Sequence, residues 1–475
     1  MVSRIIEFCA RNRVLVLFGV AVACAASIWS IRHVKLDAIP DLSDPQVIVF
    51  TEWMGRSPTL VEDQVTYPIV SALVSAPKVA DVRGYSMFGM SFVYVIFEEG
   101  TDVYWARSRV LEHLSSLQAR LPQGVAPALG PDASGVGWVF QYTLVDKTGQ
   151  HGLDVLRTFQ DFTLRYALGS VPGVAEVASV GGYQKQYQVT VDPARLRAYG
   201  VTLDEVIARI RDSNDDVGGR VIELSEREYY VRGRGYVQQL GDLEKVAIRA
   251  SGPNGVPVLL RDVGQVRFGP EIRRGLLEWN GDGEAVGGIV VMRYGENALD
   301  VISRVKARLA ELEPGLPPGV SVEIAYDRSG LIHRSIGTLR TALIEEAIVV
   351  ALVIILFLLH VRSALLPILS IPVAVAVSFI PMYLLDIPAT IMSLGGLAIA
   401  IGATVDAEIV MIEASHKKLE LAPPGADRRA LLAEAAREVT PALFFSLLII
   451  AVAFLPVFTL TGQAGQLFKP LAWTK

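Results

Sequence analysis

The stretch that decides the fold is Ile391–Glu420, IMSLGGLAIAIGATVDAEIVMIEASHKKLE. From Ile391 to about Ile412 it is apolar and long enough to cross a bilayer as a helix, which needs roughly 20 such residues. Yet it carries Asp406, Glu408 and Glu413. A carboxylate at the centre of a membrane helix is unfavourable by roughly 2.5–3.5 kcal/mol, so acids that persist there usually face a protein interior and move charge. At 100° per residue, Asp406 and Glu413 stand within about 20° of each other, on a stripe with Gly395 and Gly402 and with Ala398 at its edge. Small residues let another helix come close, so the two acids are expected to look into a packed helix interface. Two readings stay open, a structural hydrogen bond to a neighbouring helix and a proton relay. Glu408 projects about 200° away, and the wheel assigns it no role.

Composition sets the class around this helix. With 51% hydrophobic and 20% charged residues among 475, the chain is a membrane protein with a large water-exposed part. A net charge of -5 without a basic stripe gives no nucleic-acid partner. Cys9 and Cys24 supply neither a disulfide framework nor a cysteine zinc site. Five segments read as spans: about Val14–Ile31, Ala342–Leu359, Leu365–Leu385, Ile391–Ile412 and Ala442–Leu460. Arg4, Arg11 and Arg13 precede the first span, Arg362 separates the second and third, and Lys417, Lys418, Arg428, Arg429 and Arg437 separate the fourth and fifth. The link 386–390 has no Lys or Arg, so basic loops alternate and the N-terminus is cytoplasmic. A cleaved signal peptide is the competing reading of residues 1–31, but the apolar run exceeds a signal core of about 7–15 residues.

Between the first two spans the pattern turns to short strands and helices, and it repeats. An offset of 195 positions pairs Val95 with Val290, Gly100 with Gly295, Ser108 with Ser303, Arg109 with Arg304, Leu114 with Leu309 and Gly124 with Gly319. A duplicated strand–helix–turn unit is the economical explanation. The first copy reads as a βαββα unit within 33–135. The second is split into 136–182 and 272–340, around a β-rich excursion at 183–271. The expected fold is thus an α+β membrane protein. A helical transmembrane bundle, residues 1–32 and 341–475, carries two external ferredoxin-like modules, one with an insertion.

GGLAIAIGATVDAEIVMIEASHKKLE resembles the fourth membrane helix of the heavy-metal efflux branch of the resistance-nodulation-division (RND) pumps, above all its copper/silver permeases. The likeness runs from IIEFCARNRVLV to GQLFKPLAWTK. It implies a proton-driven antiporter of the bacterial inner membrane, not an enzyme. It further implies no cofactor, copper(I) or silver(I) as the transported ion, and a periplasmic place for the external part. The modules become porter subdomains and the insertion a docking subdomain. The resemblance also implies a homotrimer, a periplasmic adaptor of the membrane fusion class and an outer-membrane channel as partners. Residues matching Asp406 and Glu413 are implicated in proton coupling in that family. Those matching Met392 and Met411 belong to a proposed thioether relay for monovalent metal ions.

Read from the residues alone, Met392 and Met411 lie about 28 Å apart on one helix, so they bracket a path but cannot share an ion. Alone, each reads more readily as core filler than as a ligand. Two positions depart from the relay, Thr404 and Ile272, where the copper/silver pumps carry methionine. Met87 and Met90 in SMFGMSF read as hairpin packing. His33, His113, His151, His333, His360 and His416 show no zinc-site spacing. The chain ends at Lys475, where the family would begin a sixth span, so a missing C-terminal half is an expected partner. The alternatives are a zinc, cobalt or nickel pump, a hydrophobic-compound pump, and a non-transporting assembly fragment.

Overall fold

Side chains alternate across a strand, and β1 (Gln46–Glu52) does so: Val47, Val49 and Thr51 are buried, their neighbours are not. The computed structural model describes residues 2–250, 255–273, 275–358, 361–423 and 425–475. β1 pairs with β3 (Met90–Phe97), which pairs with β2 (Val79–Met87). A two-residue strand, β4 (Ala128–Leu129), joins the other side of β1. The antiparallel order is β2-β3-β1-β4. The helical segments 58–73 and Val103–Leu117 cover one face, burying Val65, Ile69, Ala106 and Val110 against Val47, Val49, Val93 and Val95.

The second sheet contains β5 (Trp138–Asp146), β6 (Val174–Gly181), β7 (Val286–Met292) and β8 (Val320–Asp327), in the order β8-β5-β7-β6. Numbered within each unit, both sheets have the order 4-1-3-2, the ferredoxin-like arrangement. The repeated helices Val103–Leu117 and Ala298–Leu312 are each 15 residues long, and the sequence offset maps one onto the other end to end. Their flanking turns correspond as well. Gly100 and Gly295 take φ of +80° and +79°, a left-handed conformation in which an L side chain is strained.

Between β6 and β7 the inserted chain has its own core of Leu196, Val206, Ile248, Leu260, Val263 and Val266. Its first and last strands, Lys185–Val191 and Gly264–Pro270, pair with each other and close it. The excursion is less purely β than the sequence suggests, since it also folds the helices Pro193–Tyr199 and Leu203–Ser213. Thr202 and Glu205 form a reciprocal capping box at the start of the second helix.

Among the described residues three helices are long and apolar enough to cross a membrane: Arg13–His33, Ile391–Glu420 and Arg428–Thr459. Helices also run over Arg328–Leu358 and Val361–Leu384, where the second and third spans are expected. Leu359 and His360 lie outside the described residues. The Ile391 helix packs against the Arg328, Val361 and Arg428 helices and against a further helix, Gly462–Thr474.

The sheets are tied to the helices by a buried ion pair. Arg328, at 4% side-chain exposure, pairs with Asp37 at 2.9 Å and donates to the Val136 carbonyl. Burial pushes the Asp37 carboxyl above its usual range, and the Arg328 guanidinium pulls against that rise. At the surface Lys35 bonds Asp386 at 2.9 Å and Lys469 bonds Glu99 at 2.8 Å.

Candidate functional site in the Ile391 helix

Thr390 caps the helix, its hydroxyl accepting from the Ser393 backbone while the Ser393 hydroxyl accepts from the Thr390 amide. One arc of the helix is then buried: Ser393, Leu394, Leu397, Ile401, Val405 and Ile412. Gly396 marks the contact with the Gly462 helix, because a Cβ there would run into the Leu471 carbonyl and the Thr474 hydroxyl. Thr474 uses that approach to donate to the Ser393 carbonyl at 2.7 Å.

Asp406 and Glu413 are exposed, and a Cβ built on Gly395 or Gly402 meets nothing within 4 Å. The acidic, small-residue stripe is therefore an open face, and the packed interface expected around it is not made by this chain's own described helices. Glu408, which the wheel left without a role, falls instead on the packed arc. Ser370 of the Val361 helix donates to its carboxylate at 2.6 Å. A short bond of this kind is charge-assisted when the carboxylate is ionised. Sequence reasoning missed it because the partner lies on another helix; the signal available was Glu408's position among Ile401, Val405 and Ile412 at helical spacing.

Met392 and Met411 are both half-buried, near opposite ends of the helix and about 100° apart around it. The helix does not bring them together. Thr404 donates to the Ala400 carbonyl at 3.0 Å, and Ile272 is exposed on the external part. Beyond Glu413, Lys418 bridges Glu434 and Glu438 at 2.8 Å each, joining this helix to the Arg428 helix. Among the described residues no three His, Cys, Asp or Glu side chains converge as a metal-binding group. His151 contacts the Pro318 carbonyl and His33 stacks on Trp29, so both act locally.

The profile of the AcrB/AcrD/AcrF family matches residues 5–475. The chain belongs to that family. Its members are RND transporters rather than enzymes, and what this chain matches is the N-terminal half of such a pump. It is 52% identical to the cation efflux system protein CusA of Escherichia coli (strain K12) over all of its own length and 46% of that protein's. It is 36% identical to the cobalt-zinc-cadmium resistance protein CzcA of Cupriavidus metallidurans, across 45% of it. A crystal structure of a heavy metal efflux pump superposes with a TM-score of 0.88 at 30% identity, covering 99% of this chain and 46% of the pump. The chain thus spans about half the length of the relatives it matches.

Proposed function

We infer that the chain is the N-terminal half of a proton-driven RND permease that expels heavy-metal ions, copper(I) or silver(I) above all. The observation that carries this is the pair of carboxylates, Asp406 and Glu413, on one open small-residue face of a membrane-length helix, in a chain 52% identical to a cation efflux protein. In this reading the face is covered by a helix of the C-terminal half. Asp406 and Glu413 take up protons from the periplasm, lose them to the cytoplasm and alter how the two halves pack. One charge crossing 100 mV supplies about 2.3 kcal/mol, enough to bias packings that differ by a few kcal/mol.

Five helices span the bacterial inner membrane in this topology, with the N-terminus cytoplasmic. The sheets form periplasmic porter modules at 33–135 and at 136–182 with 272–340, and 183–271 forms a docking subdomain. The pump is a homotrimer that works with a periplasmic adaptor and an outer-membrane channel. Met392 and Met411 are two stations of a thioether path. Thioethers suit a soft monovalent ion, which favours copper and silver over the divalent cargo named for CzcA. The test is Asp406→Asn in the chain joined to its C-terminal half. Silver and copper resistance should vanish while membrane expression and trimer size stay unchanged; undiminished resistance would remove Asp406 from the relay.

A further inference from the structure

Three of the chain's eight methionines, Met54, Met87 and Met90, gather at one corner of the first sheet. Met54 and Met87 are not core filler, and Met90 is half-buried. Met382 and Met292 are 2% and 7% exposed, whereas Met54 and Met87 are 47% and 50% exposed. The hairpin expected from the sequence exists, and its Met87 side chain is half exposed to solvent. β2 pairs Met87 with Met90 across the turn, and β1 pairs Glu52 with Met90. Directly opposed residues share a face with Cβ atoms about 4.5–5.5 Å apart, so two thioethers and a carboxylate stand in one row.

Met54 joins them from the chain that leaves β1. The Trp53 amide donates to the Gly89 carbonyl and the Gly89 amide to the Arg56 carbonyl, both at 2.9 Å, which straps residues 53–56 to the turn. Gly89 holds the turn at φ +68°, and the Met54 sulfur lies 3.4 Å from where a Cβ on Gly89 would sit. A cavity of about 290 Å³ opens at this corner between the two sheets, lined among others by Glu52, Met54, Met90, Arg157, Glu271 and Arg273. Both arginines are answered: Arg157 binds Asp161 at 2.8 Å and the Gly181 carbonyl, and Arg273 pairs with Glu284. Glu52 and Glu271, also in its lining, make no ion pair among the described residues.

We propose that Met54 and Met90, with Glu52 beside them and Met87 adjacent, form a binding site for a soft monovalent metal ion, copper(I) or silver(I), at the mouth of this cavity. The proposal takes the ion from the function proposed above and does not depend on the proton relay. Thioethers are soft donors that select such ions. Being neutral they release no proton on binding, unlike thiol or imidazole ligands. Glu52 supplies the compensating charge. The site belongs to the external part and is separate from Met392 and Met411.

The experiment is a calorimetric titration of silver nitrate, in chloride-free buffer, into the full detergent-solubilised chain, with silver K-edge absorption on the loaded protein. Leucine conserves methionine's volume, so M54L/M90L keeps the fold, and M392L/M411L is the comparison. The wild type should bind one silver equivalent that M54L/M90L lacks and M392L/M411L retains, and its sulfur scattering should fall in M54L/M90L. Glu52→Gln should weaken that equivalent by about tenfold with the thioethers intact. Equal silver stoichiometry in wild type and M54L/M90L, no binding by the wild type, or displacement by equimolar zinc(II) would overturn the site. Asp406→Asn is judged by resistance of the joined pump, so either reading can fail while the other stands.

Discussion

Glu408 and Asp406 lie two residues apart on one helix and meet different surroundings, because about 200° of rotation separates them. Glu408 is turned onto the Val361 helix and accepts from Ser370 at 2.6 Å; Asp406 is exposed. Ser370→Ala should therefore destabilise the chain by about 1–3 kcal/mol, the usual loss when a partly buried acceptor is orphaned. Thermal unfolding of the solubilised chain measures this, and Glu408→Gln, which still accepts from Ser370, should lose less. Asp37 and Arg328 follow the same logic at higher stakes. Removing only the acid, by Asp37→Ala, strands a guanidinium at 4% exposure and should lose about 3–5 kcal/mol. Replacing both residues by apolar ones should lose less than either single change. The acids at 406 and 413 were legible because ionisable groups in an apolar run stand out unaided. Neither Ser370 nor Arg328 could be found that way, since each earns its role from a residue 38 or 291 positions distant.

Elements were legible where periodicity was long and unbroken. The helices Val103–Leu117 and Ala298–Leu312 fall where the 195-position repeat places a duplicated helix. β4 was invisible because two residues carry no alternation. So were the π turns Glu62–Thr66 and Gln160–Leu164, which interrupt the first helical segment of each unit and shift its phase. Each turns a polar side chain onto its sheet: Thr66 bonds Ser91 at 2.7 Å, and Gln160 accepts from Tyr142 at 2.9 Å. The loop after β5 carries a pH dependence. Asp146 accepts from the Thr148 hydroxyl and from the His151 and Thr148 amides, which hold its carboxyl down to about 2. A depressed folded value stabilises the fold above the ordinary carboxylate range and loses that contribution as pH falls toward 2. Asp146→Asn should accordingly flatten the fall in denaturant midpoint between about pH 4 and pH 2. Small residues of the Ile391 helix divide in the same structural way. Gly396→Leu should detach the Gly462 helix, whereas Gly402→Leu should leave the chain folded and block whatever covers Asp406. Cysteine cross-linking of the Ile391 and Gly462 helices reads the first effect, and association with the C-terminal half reads the second.

At the scale of the whole molecule, the proposed proton relay requires a mechanical path from the Ile391 helix to the sheets. β8 ends at Asp327 and the helix Arg328–Leu358 begins at the next residue, so no loop separates the second sheet from the bundle. At 1.5 Å per residue those 31 residues extend about 46 Å, some 16 Å more than a bilayer core of about 30 Å. In the proposed topology that surplus stands in the periplasm as a lever rooted in β8. Arg328 fixes its base by holding Asp37 and the Val136 carbonyl, which link the lever to the end of the first membrane helix and to the approach to β5. Lys469–Glu99 makes a second, exposed tie to the first sheet, and surface pairs contribute little rigidity. Motion should therefore pass mainly through the Asp327–Arg328 junction. Two glycines inserted there would break the lever without touching Asp406, Glu413 or the methionines at 54 and 90. The joined pump should then lose silver resistance, while the chain keeps its membrane insertion and the silver equivalent assigned to Met54 and Met90. Resistance equal to that of the unmodified pump would show that the sheets move independently of this junction.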